Sequence, residues 1–143
     1  MTVDGFARAK HRAAQMKNKW DSAQVEKVDT GLSNQLPLSA AVSEYSRPAS
    51  ERLDMHYALE MGVVLEGRMR RSYQGFEMDL QPGEAWFCGM WEPHGCSIPD
   101  APCIALVVVV LPPLLAEARL AGIPQGRLLA PFLVRPEERP VVN

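Results

Sequence analysis

The stretch DMHYALEMGVVLEG, residues 54–67, alternates polar and apolar side chains with the period of a β-strand. If residues 54–65 are extended, Asp54, His56 and Glu60 lie on one face and the larger apolar side chains lie on the other. Two interpretations are open at this point. The polar face could point to solvent, as on a half-exposed antiparallel strand, or it could form a site.

The neighbouring segments have the same strand-like character. From about residue 36 to 111, short apolar or alternating runs are separated by turn signals such as YQG and QPGE. The predicted strands are LSAAVSEYS, MHYALEMGVVLEG, RMRRSY, FEMDL, AWFCG and CIALVVVVL. The last, Val-rich strand is expected to be buried on both sides. About six short strands of this kind predict an all-β barrel or sandwich.

Helical patterns flank the predicted barrel on both sides. Asp4 can cap a helix over residues 6–20, and the run LLAEARLAG after Pro112-Pro113 can form a short second helix. The predicted organisation is a helical arm over 1–35, a barrel over 36–112, and a short helix with the start of a linker over 113–143. No helix-turn-helix pattern is found.

Composition limits the class of protein. The 143 residues are 47% hydrophobic and 22% charged, which fits one globular domain. A net charge of −2 and a pI near 5.9 do not favour binding to a phosphate backbone. The longest apolar run, IALVVVVL, is far shorter than the roughly 20 residues of a membrane span, and the charged start does not resemble a secretory signal. We therefore expect a cytoplasmic chain whose three cysteines are free thiols.

The spacing of His56, Glu60 and Gly67 resembles the first motif of the cupin superfamily, with Asp54 standing where that motif has its first histidine. The segment from Gly83 to His94 is similar in spacing to the second cupin motif, after a spacer of fifteen residues. This resemblance implies a cupin barrel, that is, an RmlC-like jelly roll. In metal-binding cupins three histidines and a glutamate converge inside the barrel, so it also implies a possible divalent transition-metal site.

The longer run VVLEGRMRRSYQGFEMDLQPGEAWFCGMWEPHG resembles the amino-terminal ligand-binding and dimerisation domain of AraC-type transcription regulators. The similarity covers about residues 40 to 140. It implies a homodimeric domain that senses a small-molecule effector, that is not an enzyme and that needs no cofactor. DNA would be read only by a helix-turn-helix outside this chain, which would be an excised sensor domain or a stand-alone relative.

The resemblance implies an effector site inside the barrel. His56, Glu60 and His94 would form hydrogen bonds to the effector. Trp86 and Trp91 could stack on it, although Trp86 could equally be a core residue. Arg47 could bind an anionic effector or simply lie on the surface.

Two other functions are open. A small metal-dependent cupin enzyme, a dioxygenase or isomerase, would use His56, Glu60 and His94 as metal ligands, with Asp54 as a possible fourth. A structural dimerisation domain would instead have its interior filled by side chains such as Met61, Phe87 and the Val run. In the sensor hypothesis, the helix over 6–20 is the movable element.

Overall fold

The fold is described by a computed structural model, which covers Trp20, residues 24–124 and residues 126–139. The helix predicted over residues 6–20 lies outside the described residues apart from Trp20, so it stays a prediction. Among the residues that are described, no helix has the length and apolarity needed to cross a membrane.

Within residues 24–124 and 126–139, seven β-strands are followed by short helices. The strands are β1 (Glu26–Lys27), β2 (Leu38–Tyr45), β3 (Ala49–Met55), β4 (Leu59–Tyr73), β5 (Phe76–Leu80), β6 (Ala85–Cys88) and β7 (His94–Val110). The helices are α1 (Pro112–Glu117) and α2 (Ala130–Leu133), with 3₁₀ turns at Arg127–Leu129 and Pro136–Glu138. The short helix predicted after the barrel is therefore present, although α1 ends at Glu117.

The two long strands, β4 and β7, organise the barrel. They pair with each other in antiparallel fashion along most of their length. The first half of β4 also pairs with β6, and the second half of β7 pairs with β2. The second half of β4 pairs with β5, and the first half of β7 pairs with β3. Each long strand thus contributes to both layers of a two-layer all-β structure, which confirms the predicted cupin jelly-roll fold.

The strand boundaries differ from the prediction around the quoted stretch. It was predicted as one strand, but β3 ends at Met55 and β4 begins at Leu59, so His56 lies in the connection between them. Gly67, the last residue of one predicted strand, lies inside β4, where the pairing register shifts. Its φ is 77°, and an added Cβ would lie 2.1 Å from the carbonyl oxygen of Pro102. Gly67 therefore permits a bulge that keeps β4 continuous.

The two faces of β4 and β6 have different partners. Trp86 and Cys88 belong to the buried cluster inside the barrel. Met61 and Phe87 instead pack outside it against the C-terminal segment, where Phe132 is buried. The Val run is only partly enclosed, because Val110 is buried and the residues before it are half-buried, so its predicted burial on both sides is wrong. The hypothesis of an interior filled by Met61 and Phe87 is not supported by these contacts.

Candidate metal centre

Three polar side chains predicted from the sequence converge inside the barrel. His56 follows β3, Glu60 lies near the start of β4, and His94 is the first residue of β7. Asp54 joins them because it pairs directly with His94 in the ladder between β3 and β7. The exposed fractions of His56, Glu60 and His94 are 4%, 9% and 2%. The polar face of the quoted stretch therefore points inward, and its solvent-exposed interpretation is wrong.

Backbone carbonyls hold both histidines in one tautomer. Nδ1 of His56 lies 2.8 Å from the carbonyl oxygen of Ala58, and Nδ1 of His94 lies 2.7 Å from that of Glu92. A carbonyl only accepts, so each Nδ1 carries a proton and donates it. The Nε2 atoms point to the same carboxylate oxygen, Oε2 of Glu60, at 3.4 and 3.7 Å. Both Nε2 atoms are thus oriented as metal ligands commonly are.

Arg71 and Trp86 hold the other oxygen of Glu60. Oε1 accepts hydrogen bonds from Nη2 of Arg71 at 2.8 Å and from the indole N–H of Trp86 at 2.9 Å. Burial alone would raise the pKa of Glu60, but the Arg71 guanidinium and the two histidines outweigh it and hold this pKa well below its usual value. Glu60 is therefore a carboxylate whose Oε2 remains directed at both imidazoles.

His94 lies between two carboxylates. Its Nε2 is 3.0 Å from Oδ1 of Asp54, but the pair is not aligned as a hydrogen bond, and this buried oxygen has no other partner. Burial alone would lower the pKa of His94, whereas the neighbouring Cys88, Asp54 and Glu60 raise it well above its usual range. In the absence of metal, His94 therefore holds a proton at Nε2 near neutral pH.

These residues fit a divalent transition-metal ion. Ligand atoms of Asp54, His56 and His94 all lie within 4.8 Å of one another, and so do those of Glu60, Cys88 and His94. Imidazole nitrogen and carboxylate oxygen suit iron, nickel and zinc. An ion would also bind the buried Asp54 oxygen, whose contact with His94 is not aligned as a hydrogen bond. The cluster thus has the composition and orientation of a possible metal site.

The remaining predicted site residues lie in different environments. Trp86 is buried in the cluster and bonds to Glu60. Trp91 is half-exposed, with a left-handed backbone (φ 51°), and its ring lies 6.2 Å from that of Tyr57. Those two rings line an outer groove of about 360 Å³ beside Lys27. Arg47 is exposed in the turn between β2 and β3. The structure thus brings Trp86 to the cluster and places Trp91 and Arg47 elsewhere.

Sequence reasoning missed two members of the cluster, Arg71 and Cys88. Cys88 is two positions after Trp86 on β6, so strand alternation predicts that both point inward. Arg71 could not be found in this way, because the bulge at Gly67 changes which residues of β4 face the interior. Without the bulge, alternation from Glu60 would place Arg70 inside instead.

No protein-family model and no curated protein matches this sequence. Solved structures do match. One is an oxalate decarboxylase variant from Bacillus subtilis, with 21% identity over 52% of this chain and 21% of that chain, and a TM-score of 0.47. Another is the Cupin_2 domain of an XRE family transcriptional regulator from Enterobacter cloacae, with 15% identity over 56% and 87% of the two chains, and a TM-score of 0.49.

An RmlC-like cupin from Shewanella frigidimarina also matches, with 20% identity over 52% of this chain and 66% of that chain, and a TM-score of 0.48. The chain spans about a fifth of the oxalate decarboxylase. The neighbours are thus cupin-fold proteins that include both an enzyme and a regulator domain. An AraC-type protein is not among the three.

The prediction that the chain is not an enzyme is wrong as it was made. It rested on the resemblance to AraC-type domains and on Asp54 standing where the cupin motif has a histidine. In the structure Asp54 joins His56 and His94 in a group that could hold a metal ion.

Proposed function

We propose that this chain is a metal-binding cupin domain that acts on a small organic molecule at a divalent transition-metal ion. His56, Glu60 and His94 would hold the ion, and Asp54 would supply a further oxygen ligand. One observation carries the proposal: both imidazoles are fixed through Nδ1, and their Nε2 atoms meet at Oε2 of Glu60. Two histidines and a carboxylate form a ligand set that leaves coordination positions open.

The protein residues have separate roles in this proposal. Arg71 and Trp86 orient the Glu60 carboxylate through its Oε1 atom. The barrel wall limits access of water to the buried histidines. When bound, the metal would supply a Lewis acid and a position for a small ligand. This combination suits a small dioxygenase or isomerase.

Elemental mass spectrometry of the purified chain tests the metal. We expect close to one transition-metal ion per wild-type chain, and its loss in His56→Ala and in His94→Ala. Trp91→Ala is the matched control, because this exposed side chain lies outside the cluster and the variant should keep its metal. A wild-type chain without metal after growth and purification with added iron, zinc and manganese would overturn the proposal.

A second candidate function, the effector-sensing domain of an AraC-type regulator, is favoured by contacts of the C-terminal segment. Nη2 of Arg139 donates to the Glu92 side chain at 2.7 Å. The backbone carbonyl of Glu92 accepts a hydrogen bond from Nδ1 of His94. The Glu92 carboxylate accepts one from the Gly89 N–H at 2.8 Å. Arg139 is thus connected through one residue to the cluster. Occupancy of the site could therefore change the position of the residues that lead to the C-terminus.

This second candidate includes a cytoplasmic homodimer and a small-molecule effector. The three cysteines are unpaired, as a reducing compartment favours. Leu38 and Val42 are exposed on β2, and an apolar strand of this kind suits contact with a second copy. Light scattering tests the dimer.

A thermal-shift screen of sugars and small aromatic acids tests the effector. We expect a binding compound to raise the melting temperature of the wild type, and Arg139→Met to alter that shift. Arg135→Met is the matched control, because Arg135 is exposed and pairs only locally with Glu137 and Glu138. A monomer that no compound stabilises would contradict this candidate and leave the metal site untouched.

A further inference from the structure

Cys88 lies in the cluster together with two of the proposed metal ligands. Its Sγ is 3.8 Å from Oε1 of Glu60, and Glu60, Cys88 and His94 form a fully buried group whose ligand atoms lie within 4.8 Å of one another. His94 is shared with the other group, which contains Asp54 and His56. The cluster therefore offers an outer position with only nitrogen and oxygen ligands and an inner position that includes sulfur.

Strand pairing fixes Cys88 beside Glu60. The two residues are direct partners in the ladder between β4 and β6. In the same ladder Gly62 pairs with Trp86, which is buried in the same cluster as Cys88. Because Cys88 is wholly buried, this sulfur is poorly placed to react with solutes from outside. Its surroundings consist of the cluster itself.

Arg71 places a hydrogen-bond donor against the sulfur. Its Nη2 lies 3.2 Å from Sγ of Cys88 and 2.8 Å from Oε1 of Glu60. A guanidinium can only donate, so the sulfur is the acceptor in this contact. The guanidinium also already neutralises Glu60. A metal cation at the inner position, whose group does not include Asp54, therefore needs another anionic ligand, and Cys88 belongs to that group.

We infer that Cys88 supplies a thiolate ligand to the metal ion, together with Glu60 and His94. This inference rests on the metal site proposed above and specifies its chemistry. Thiolate and imidazole ligands favour zinc and similar softer ions, whereas manganese and magnesium favour sites made of oxygen. The site should therefore take zinc in preference to manganese when both are offered. Of the two reactions named above, zinc supports the isomerase, because it has no redox chemistry.

Cobalt(II) titration of the full chain, after metal removal with a chelator, tests the inference. A cobalt–thiolate bond gives charge-transfer absorption in the near ultraviolet, separate from the visible bands of bound cobalt. We expect this absorption in the wild type at one cobalt per chain and its loss in Cys88→Ser. Cys96→Ser is the matched control, because Cys96 is a free cysteine on β7 that belongs to neither metal group.

The outcomes separate the two proposals. Cobalt bound with visible bands but without charge-transfer absorption overturns the role of Cys88 and leaves the metal site standing. A wild type that binds no cobalt overturns both. If Cys88→Ser does not fold, X-ray absorption of the zinc-loaded wild type decides instead. A sulfur neighbour at about 2.3 Å supports the thiolate ligand, and a shell of only nitrogen and oxygen excludes it.

Discussion

Arg71→Met is expected to lower the free energy of unfolding of the metal-free protein by about 3–5 kcal/mol, because it removes the cation that donates to Oε1 of the buried Glu60 carboxylate and leaves only His94, which faces Oε2. The side chains of Arg71 and Glu60 are 6% and 11% exposed, and their charged atoms are 2.8 Å apart. Methionine fills part of the volume but provides no donor. The Trp86 N–H, which remains 2.9 Å from Glu60, cannot replace a full positive charge.

Urea denaturation at pH 7 with a chelator present measures this loss. The adjacent Arg70→Met is the control, because Arg70 pairs with Asp79 at 2.7 Å on the outer face with about 40% of each side chain exposed. A surface pair of this kind contributes about 0–1 kcal/mol. Adding Glu60→Gln to Arg71→Met should recover part of the stability, since no unpaired charge remains. Equal losses for the Arg70 and Arg71 variants would refute the reasoning.

Two further predictions concern the same interior. Gly62→Ala should destabilise the protein by about 1–3 kcal/mol in urea denaturation. The added Cβ would lie 2.3 Å from the Trp86 ring and 2.5 Å from the Leu106 carbonyl oxygen. An unchanged denaturation midpoint would show that the Trp86 indole lies elsewhere. The pKa of Glu60 is lower in the folded protein than in the unfolded chain, where it is about 4.3. The Glu60 carboxylate therefore stabilises the fold fully above about pH 4.3, and this stabilisation is lost as the pH falls toward the folded-state pKa. Metal-free Glu60→Gln should therefore lose less stability than the wild type over this acid range, and parallel pH profiles would contradict that assignment.

Part of the cluster could be found from the sequence. The resemblance to the cupin motifs, carried by the separation of His56 from Glu60 and by the position of His94, implied that these side chains meet. His56 and Glu60 are close because a short connection joins β3 to β4, and His94 lies beside them because it pairs with Asp54 at the end of β3. The sequence left open whether Trp86 is a core residue or a site residue. It is both, because its ring is buried and its N–H donates to Glu60.

The sequence by itself determined the all-β class and most strand positions, since alternation and turn residues are local properties. It did not determine which face of β4 points into the barrel, because an alternating pattern of polar and apolar residues fits either orientation of the strand. That was decided by the C-terminal segment, which covers Leu59 and Met61 from outside and leaves Glu60 inside. The bulge at Gly67 then places Arg71 beside Glu60, a contact that depends on the register between strands and not on any local pattern.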